Sequence, residues 1–172
     1  MEAKKDVATV TSEGSSLAKL IARVVVRDAT THVDERGELC EIYDPRWGLS
    51  ADPLVYLYHA TIRPGMVKGW VYHELQEDRL FVITGNIKAV LYDPRPDSPT
   101  NGLVNEIYMS ERRRRLLVIP RLVVHALQNI GTTDAIFINT PTAPYNHARP
   151  DKYRVSAESM QARYSFAPKL GW

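Results

Sequence analysis

The chain has 172 residues, enough for one domain with a sizeable core and too few for two. Hydrophobic residues make up 44% and charged residues 24%, and the formal net charge is only +2, so no whole-molecule field draws the chain to nucleic acid or an anionic membrane. Its one cysteine, Cys40, excludes an internal disulfide framework and suits a reducing compartment.

The first twenty residues carry lysines but no continuous apolar run behind them, so they read as a flexible N-terminal arm rather than a secretory signal. No apolar window approaches bilayer length, and a cytoplasmic protein without a membrane partner is expected. Residues 22–27, ARVVVR, are β-branched and predict a strand. Residues 33–38 form a polar turn, 39–43 alternate again, and the Asp44-Pro45 break follows. Residues 54–62 predict a long strand ended by the Pro64-Gly65 turn. Strands are expected at 79–84 and 87–92, joined through Gly85-Asn86 as a hairpin-type turn. A turn-rich loop, DPRPDSPTNG, fills 93–102, and shorter strands follow at 104–109, 116–119 and 135–138. Helical periodicity is confined to 157–164. Many short strands with little helix predict an all-β sandwich or barrel over residues 21–172 as a single domain.

Two stretches carry chemistry. In GMVKGWVYHELQEDRLFVITG, residues 65–85, and PRLVVHALQN, residues 120–129, the spacing resembles the two motifs of cupin jelly-roll barrels. Gly65, Val71, His73, Asp78 and Gly85 fall on the first motif, and Pro120, Leu122, His125 and Asn129 on the second. In metal-binding cupins two histidines two residues apart point to one face of a strand. Here the first is Val71, which offers no donor, so no metal and no other cofactor is expected. A metal site built from His73, Asp78 and His125 is the alternative that the spacing leaves open.

A metal-free branch fits more of the chain. Residues 34–41, DERGELCE, residues 79–82, RLFV, the 93–102 loop and residues 117–125, LVIPRLVVH, resemble the corresponding segments of dTDP-4-dehydrorhamnose 3,5-epimerases. The resemblance covers most of residues 31–154 and implies a cupin jelly-roll β-barrel and a nucleotide-sugar ligand. It also implies a homodimer formed by strand exchange, for which the arm and the ARVVVR strand are the candidates. By the same resemblance Arg36 binds the phosphates and Glu41 the base, Lys68 lies in the substrate-binding run, and Arg79 takes the role of the family's lysine. The family's catalytic histidine falls on Val71 and its acid tyrosine on Asn139, while a second tyrosine matches Tyr145. His73 is then the substitute base, with His125 polarising the carbonyl and Tyr58 or Tyr145 donating the proton. The plainer reading of His73 is a histidine hydrogen-bonded to a neighbour.

The expected function is epimerisation or isomerisation of a dTDP-linked 4-keto-6-deoxysugar by metal-independent proton transfer. A nucleotide-sugar-binding protein without the acid–base set and a metal-dependent cupin enzyme are the alternatives. The SERRRRLL run, residues 110–117, reads as a solvated turn, and no nucleic-acid partner is expected.

Overall fold

The computed structural model describes residues 5–166. Alternating and β-branched runs give β1 (Val25–Asp28), β2 (Thr31–Asp34), β3 (Gly37–Cys40), β4 (Tyr58–Ile62), β5 (Val67–Tyr72) and β6 (Asp78–Thr84). They continue as β7 (Asn86–Tyr92), β8 (Val104–Ser110), β9 (Arg115–Ile119), β10 (Val124–Asn129), β11 (Ala135–Asn139) and β12 (Tyr153–Arg154), before the short helix α1 (Ala157–Gln161). Residues 5–20 contain no helix or strand beyond a bridge between Val10 and Ser16. The end of the expected 21–172 domain, with Trp172, lies outside the described residues.

The architecture is all-β, but the expected barrel is not formed. Two open five-stranded antiparallel sheets, ordered β1-β9-β6-β11-β4 and β12-β5-β10-β7-β8, face each other, and β2-β3 is a separate hairpin. Alternation in a sequence fixes which face of a strand is buried and leaves open whether sheet edges meet. Among the described residues no hydrogen-bonded pairing joins the edges of the two large sheets. Their inner faces interdigitate through Leu80 and Val82 of β6, Leu117 and Ile119 of β9, Ile87 and Leu91 of β7, and Phe137 of β11, all buried in one cluster. A second cluster, with Trp70, Val90, Ala126 and Met160, covers the outer face of the second sheet beneath α1.

Several boundaries move for physical reasons. The turn at Gly85 is no hairpin: β6 pairs with β9 and β11, β7 with β8 and β10, and Gly85 carries the chain from one sheet to the other. Its φ of +81°, and the 2.7 Å that would separate an added Cβ from the Ala135 backbone, explain the glycine. Only the second half of the 54–62 run is paired, and residues 33–38 form the tip of the β2–β3 hairpin. β1 starts at Val25, after Arg23 adopts a φ of +72°. It pairs with β9 of its own chain, where the sequence suggested an exchanged strand.

The loop most like the family's is structural. Asp93 is fully buried and accepts from Arg95, Ser98 and Thr100, which hold its carboxyl well below the usual range against the opposing effect of burial. Arg95 donates to the Ala22 carbonyl, and Thr100 accepts from the Ala22 N–H, so the loop pins the chain just before β1. Asp93→Asn is expected to cost about 3 kcal/mol, read from the denaturant midpoint, because it removes the buried acceptor around which Arg95, Ser98 and Thr100 are arranged. The arginine run is equally local: Arg113 and Arg115 pair with Asp28, and Arg114 with Glu38, tying β1 and the hairpin to the body.

Candidate active site

A cavity of about 520 Å³ lies between the sheets. β4, β6 and β11 form one wall, through Tyr58, Asp78, Leu80, Phe137 and Asn139. β5, β10 and β12 form the other, through Lys68, Val71, His125, Leu127 and Arg154, with His73 just beyond the end of β5. Pro141 and Tyr145, in the segment after β11, also line it.

His73 and Val71 face the cavity while Tyr72 turns to the outer side, where it stacks on Tyr153 at 4.9 Å, as strand alternation predicts. Val123 and Asp151 orient the two imidazoles. The Nδ1 of His125 donates to the Val123 carbonyl at 3.0 Å, and the Nδ1 of His73 donates to the Asp151 carbonyl. Asp151 also anchors the turn after β5, its carboxylate accepting the backbone N–H groups of Glu74, Leu75 and Gln76.

Asp78 stands between the two rings. Its Oδ2 lies 3.2 Å from Nε2 of His73 and 3.2 Å from Nε2 of His125. Its Oδ1 accepts from Asn139 at 2.9 Å and from Gln76 at 3.3 Å. Carbonyls only accept, so both Nδ1 atoms carry hydrogen, and both Nε2 atoms face one carboxylate oxygen. Such a contact is attractive only where a proton lies between the partners, so the cluster is built to hold a proton. Burial works against the charge on Asp78, but the hydrogen bonds from His125 and His73 outweigh it and hold the carboxyl well below its ordinary value. For His73 burial again opposes the charge, and Asp78 outweighs it, raising the imidazole above its ordinary value.

On the opposite wall, buried Asn139 donates to Asp78 and to the Tyr58 hydroxyl, so it positions both. Burial, with the Asp78 charge next, pushes the Tyr58 phenol up to about 12. Tyr145 is partly exposed, its ring edge-on to His147 at 4.9 Å.

The structure therefore brings together His73, His125, Tyr145, Lys68, Tyr58 and Asn139. Arg79 is not among them. Its side chain lies on the other face of β6 from Asp78 and Leu80, fully buried, donating to Ser50 and to the carbonyls of Asp52 and Pro53. Arg36, at the tip of the exposed hairpin, pairs with Asp34 and lies away from the cavity of its own chain, and Glu41 follows the same hairpin. The sequence reading missed Gln76, Asp151, Lys152 and Arg154, and weighed Asp78 only as a metal ligand. The Asp151-Lys152 pair precedes a two-residue strand too short to carry any pattern.

A family model described as dTDP-4-dehydrorhamnose 3,5-epimerase matches residues 19–170. The chain belongs to the dTDP-4-dehydrorhamnose 3,5-epimerase family. It is thus a member of an enzyme family of dTDP-sugar isomerases, as its motifs led us to expect. It is 35% identical over 136 residues to the spore coat polysaccharide biosynthesis protein SpsL of Bacillus subtilis, covering 79% of this chain and 89% of that one. It is 34% identical over 134 residues to a probable low-salt glycan biosynthesis epimerase, Agl13, of Haloferax volcanii, covering 77% and 85%. Among solved structures, a dTDP sugar isomerase from Desulfovibrio desulfuricans superposes with a TM-score of 0.77 at 24% identity, covering 86% of this chain and 94% of the other. A 3'-monoepimerase from Streptomyces bikiniensis, ChmJ, solved as a double mutant in complex with dTDP, gives 0.77 at 20% identity, covering 88% and 77%. At these identities the structures establish a shared fold. Among the described residues no helix is long and apolar enough to cross a membrane.

Proposed function

We propose that the protein epimerises or isomerises a dTDP-linked 4-keto-6-deoxysugar by proton transfer without a metal, in the cytoplasm, where an unpaired Cys40 is at home. The observation that carries this reading is the His73–Asp78–His125 cluster in the cavity wall, a proton-holding pair of imidazoles in a member of this family.

His73 takes the proton from the carbon beside the carbonyl. The C–H bond breaks, and its proton goes to Nε2 of His73, the ring nitrogen that carries no hydrogen in the neutral form. The electron pair moves toward the carbonyl oxygen, and the new imidazolium is held by Asp78. His125 stands on the same wall to polarise the carbonyl. Tyr145 and Tyr58 approach from the opposite side, and return of a proton from there inverts the carbon. The Tyr58 proton has no acceptor among the described residues and is directed to the ligand. Lys68, with Arg154, meets the negatively charged end of the substrate.

Arg36 and Glu41 serve the nucleotide in a homodimer, the hairpin of one subunit reaching the cavity of the other. Exposed Val33 and Leu39 on the hairpin, and the open edges at β1 and β4, support that assembly. A monomer at all concentrations in sedimentation velocity would contradict it.

One observation favours a second reading: donor atoms of His73, Asp78 and His125 lie within 4.8 Å of one another, close enough to share a transition metal. Conversion of dTDP-4-keto-6-deoxyglucose before and after dialysis against a strong chelator tests both. We expect unchanged turnover. Loss of activity that a divalent metal restores would favour the metal enzyme.

A further inference from the structure

We propose that Lys152 is a catalytic residue, the cation that stabilises negative charge on the sugar's carbonyl oxygen as the proton leaves. The assignment rests on the epimerase reading and adds a fixed cation to the carbonyl polarisation that the reading gives to His125. Removing a proton beside a carbonyl places an electron pair on the oxygen. A fixed cation or hydrogen-bond donor in a shielded site is the usual way to hold it. Arg79, the residue expected from the sequence, is committed to residues 50–53 on the far face of β6.

Three cations line the cavity: Lys68, Lys152 and Arg154. None of them forms an ion pair or hydrogen bond among the described residues, in contrast to Arg95, Arg114 and Arg115, each of which has an acidic partner. Register separates their tasks. On β12, Arg154 lies opposite Val71 and Tyr153 opposite Tyr72, so Lys152 comes level with His73. Tyr153 stacks on the outer face, and alternation turns Lys152 and Arg154 together to the cavity side. The preceding residue, Asp151, accepts from Nδ1 of His73, so base and ammonium are fixed to adjacent points of one backbone. Lys68 sits farther along β5, opposite Leu127. The order along the wall is therefore base with Lys152, then Arg154, then Lys68, which places one cation at the reacting carbonyl and two toward an anionic diphosphate. Lys152 is exposed at the cavity's rim, and desolvation by the wall beside it, with the neighbouring charge of Arg154, lowers its ammonium below its ordinary value and strengthens it as a donor.

The test compares wild type with Lys152→Met, Lys152→Arg and Arg154→Met. It reads kcat for α-proton exchange of dTDP-4-keto-6-deoxyglucose, the Kd of dTDP by calorimetry, and the unfolding temperature. Lys152→Met is expected to lower kcat about 10²-fold, with the Kd of dTDP changed by less than about threefold and unfolding unaltered. Lys152→Arg should recover part of that loss, and Arg154→Met should weaken dTDP binding by a larger factor than it lowers kcat. Wild-type exchange with Lys152→Met within about threefold of it, or a loss confined to dTDP affinity, overturns the assignment and leaves the epimerase reading standing. Absence of exchange in the wild type would overturn the epimerase reading and this assignment with it.

Discussion

His73→Gln is expected to lower kcat by about 10³-fold while the protein still folds and binds dTDP, measured by steady-state turnover and calorimetry. The amide keeps a hydrogen-bond donor for the Asp151 carbonyl and so preserves the contact between the end of β5 and residue 151. It has no lone pair basic enough to take a proton from carbon. Turnover within about tenfold of wild type would remove His73 from the reaction and leave it the plainer role of a hydrogen-bonded wall residue.

Asp78→Asn should have a comparable effect with a distinct signature. The carboxylate raises the affinity of His73 for a proton, so without it burial is opposed only by the Asp151 contacts and the imidazole titrates at lower pH. As base, His73 works in its neutral form, and activity rises as pH climbs through its folded value. The acidic limb of the kcat profile should therefore move to lower pH in Asp78→Asn, while the maximal rate falls about 10²-fold because the imidazolium loses its counter-charge. An unmoved limb would mean that another group governs it.

Stability follows the same couple with opposite dependences. Asp78 has a depressed folded value, so its contribution is present above the unfolded value of about 3.9 and is lost as pH falls through the folded one. His73 has a raised value, so its contribution is full below about 6.5 and is lost as pH rises through the folded one. The stability difference between wild type and Asp78→Asn should accordingly be greatest between about pH 4 and 6.5.

How far the sequence led is clearest on β6. Its residues 78–82 are all buried, because one face meets the opposing sheet and the other meets the segment around residues 50–53. With no alternation between apolar and polar, nothing local tells whether Asp78 or Arg79 faces the site, and matching the run to the family's lysine selected the wrong parity. On β5 the outward turn of Tyr72 and the inward turn of His73 were legible, because two residues per period suffices to place them. His125 was legible from its spacing to Asn129, which caps its own loop by accepting from Gly131 and donating to the Thr133 carbonyl. Asp151 and Lys152 were not, since they reach the site through pairing of a two-residue strand with β5. The open sheets were illegible for a related reason: edge pairing is a property of the assembled strands, and no residue pattern in β4 or β8 announces it.

The central claim is that this cavity moves a proton on and off carbon. Incubating the wild-type enzyme with dTDP-4-keto-6-deoxyglucose in deuterium oxide, and locating label by mass spectrometry and NMR, tests it most directly. The account predicts enzyme-dependent deuterium at a carbon flanking the keto group, well above the uncatalysed rate. Saturable binding of the substrate with no label at either carbon would contradict it, and would make the cavity a binding site.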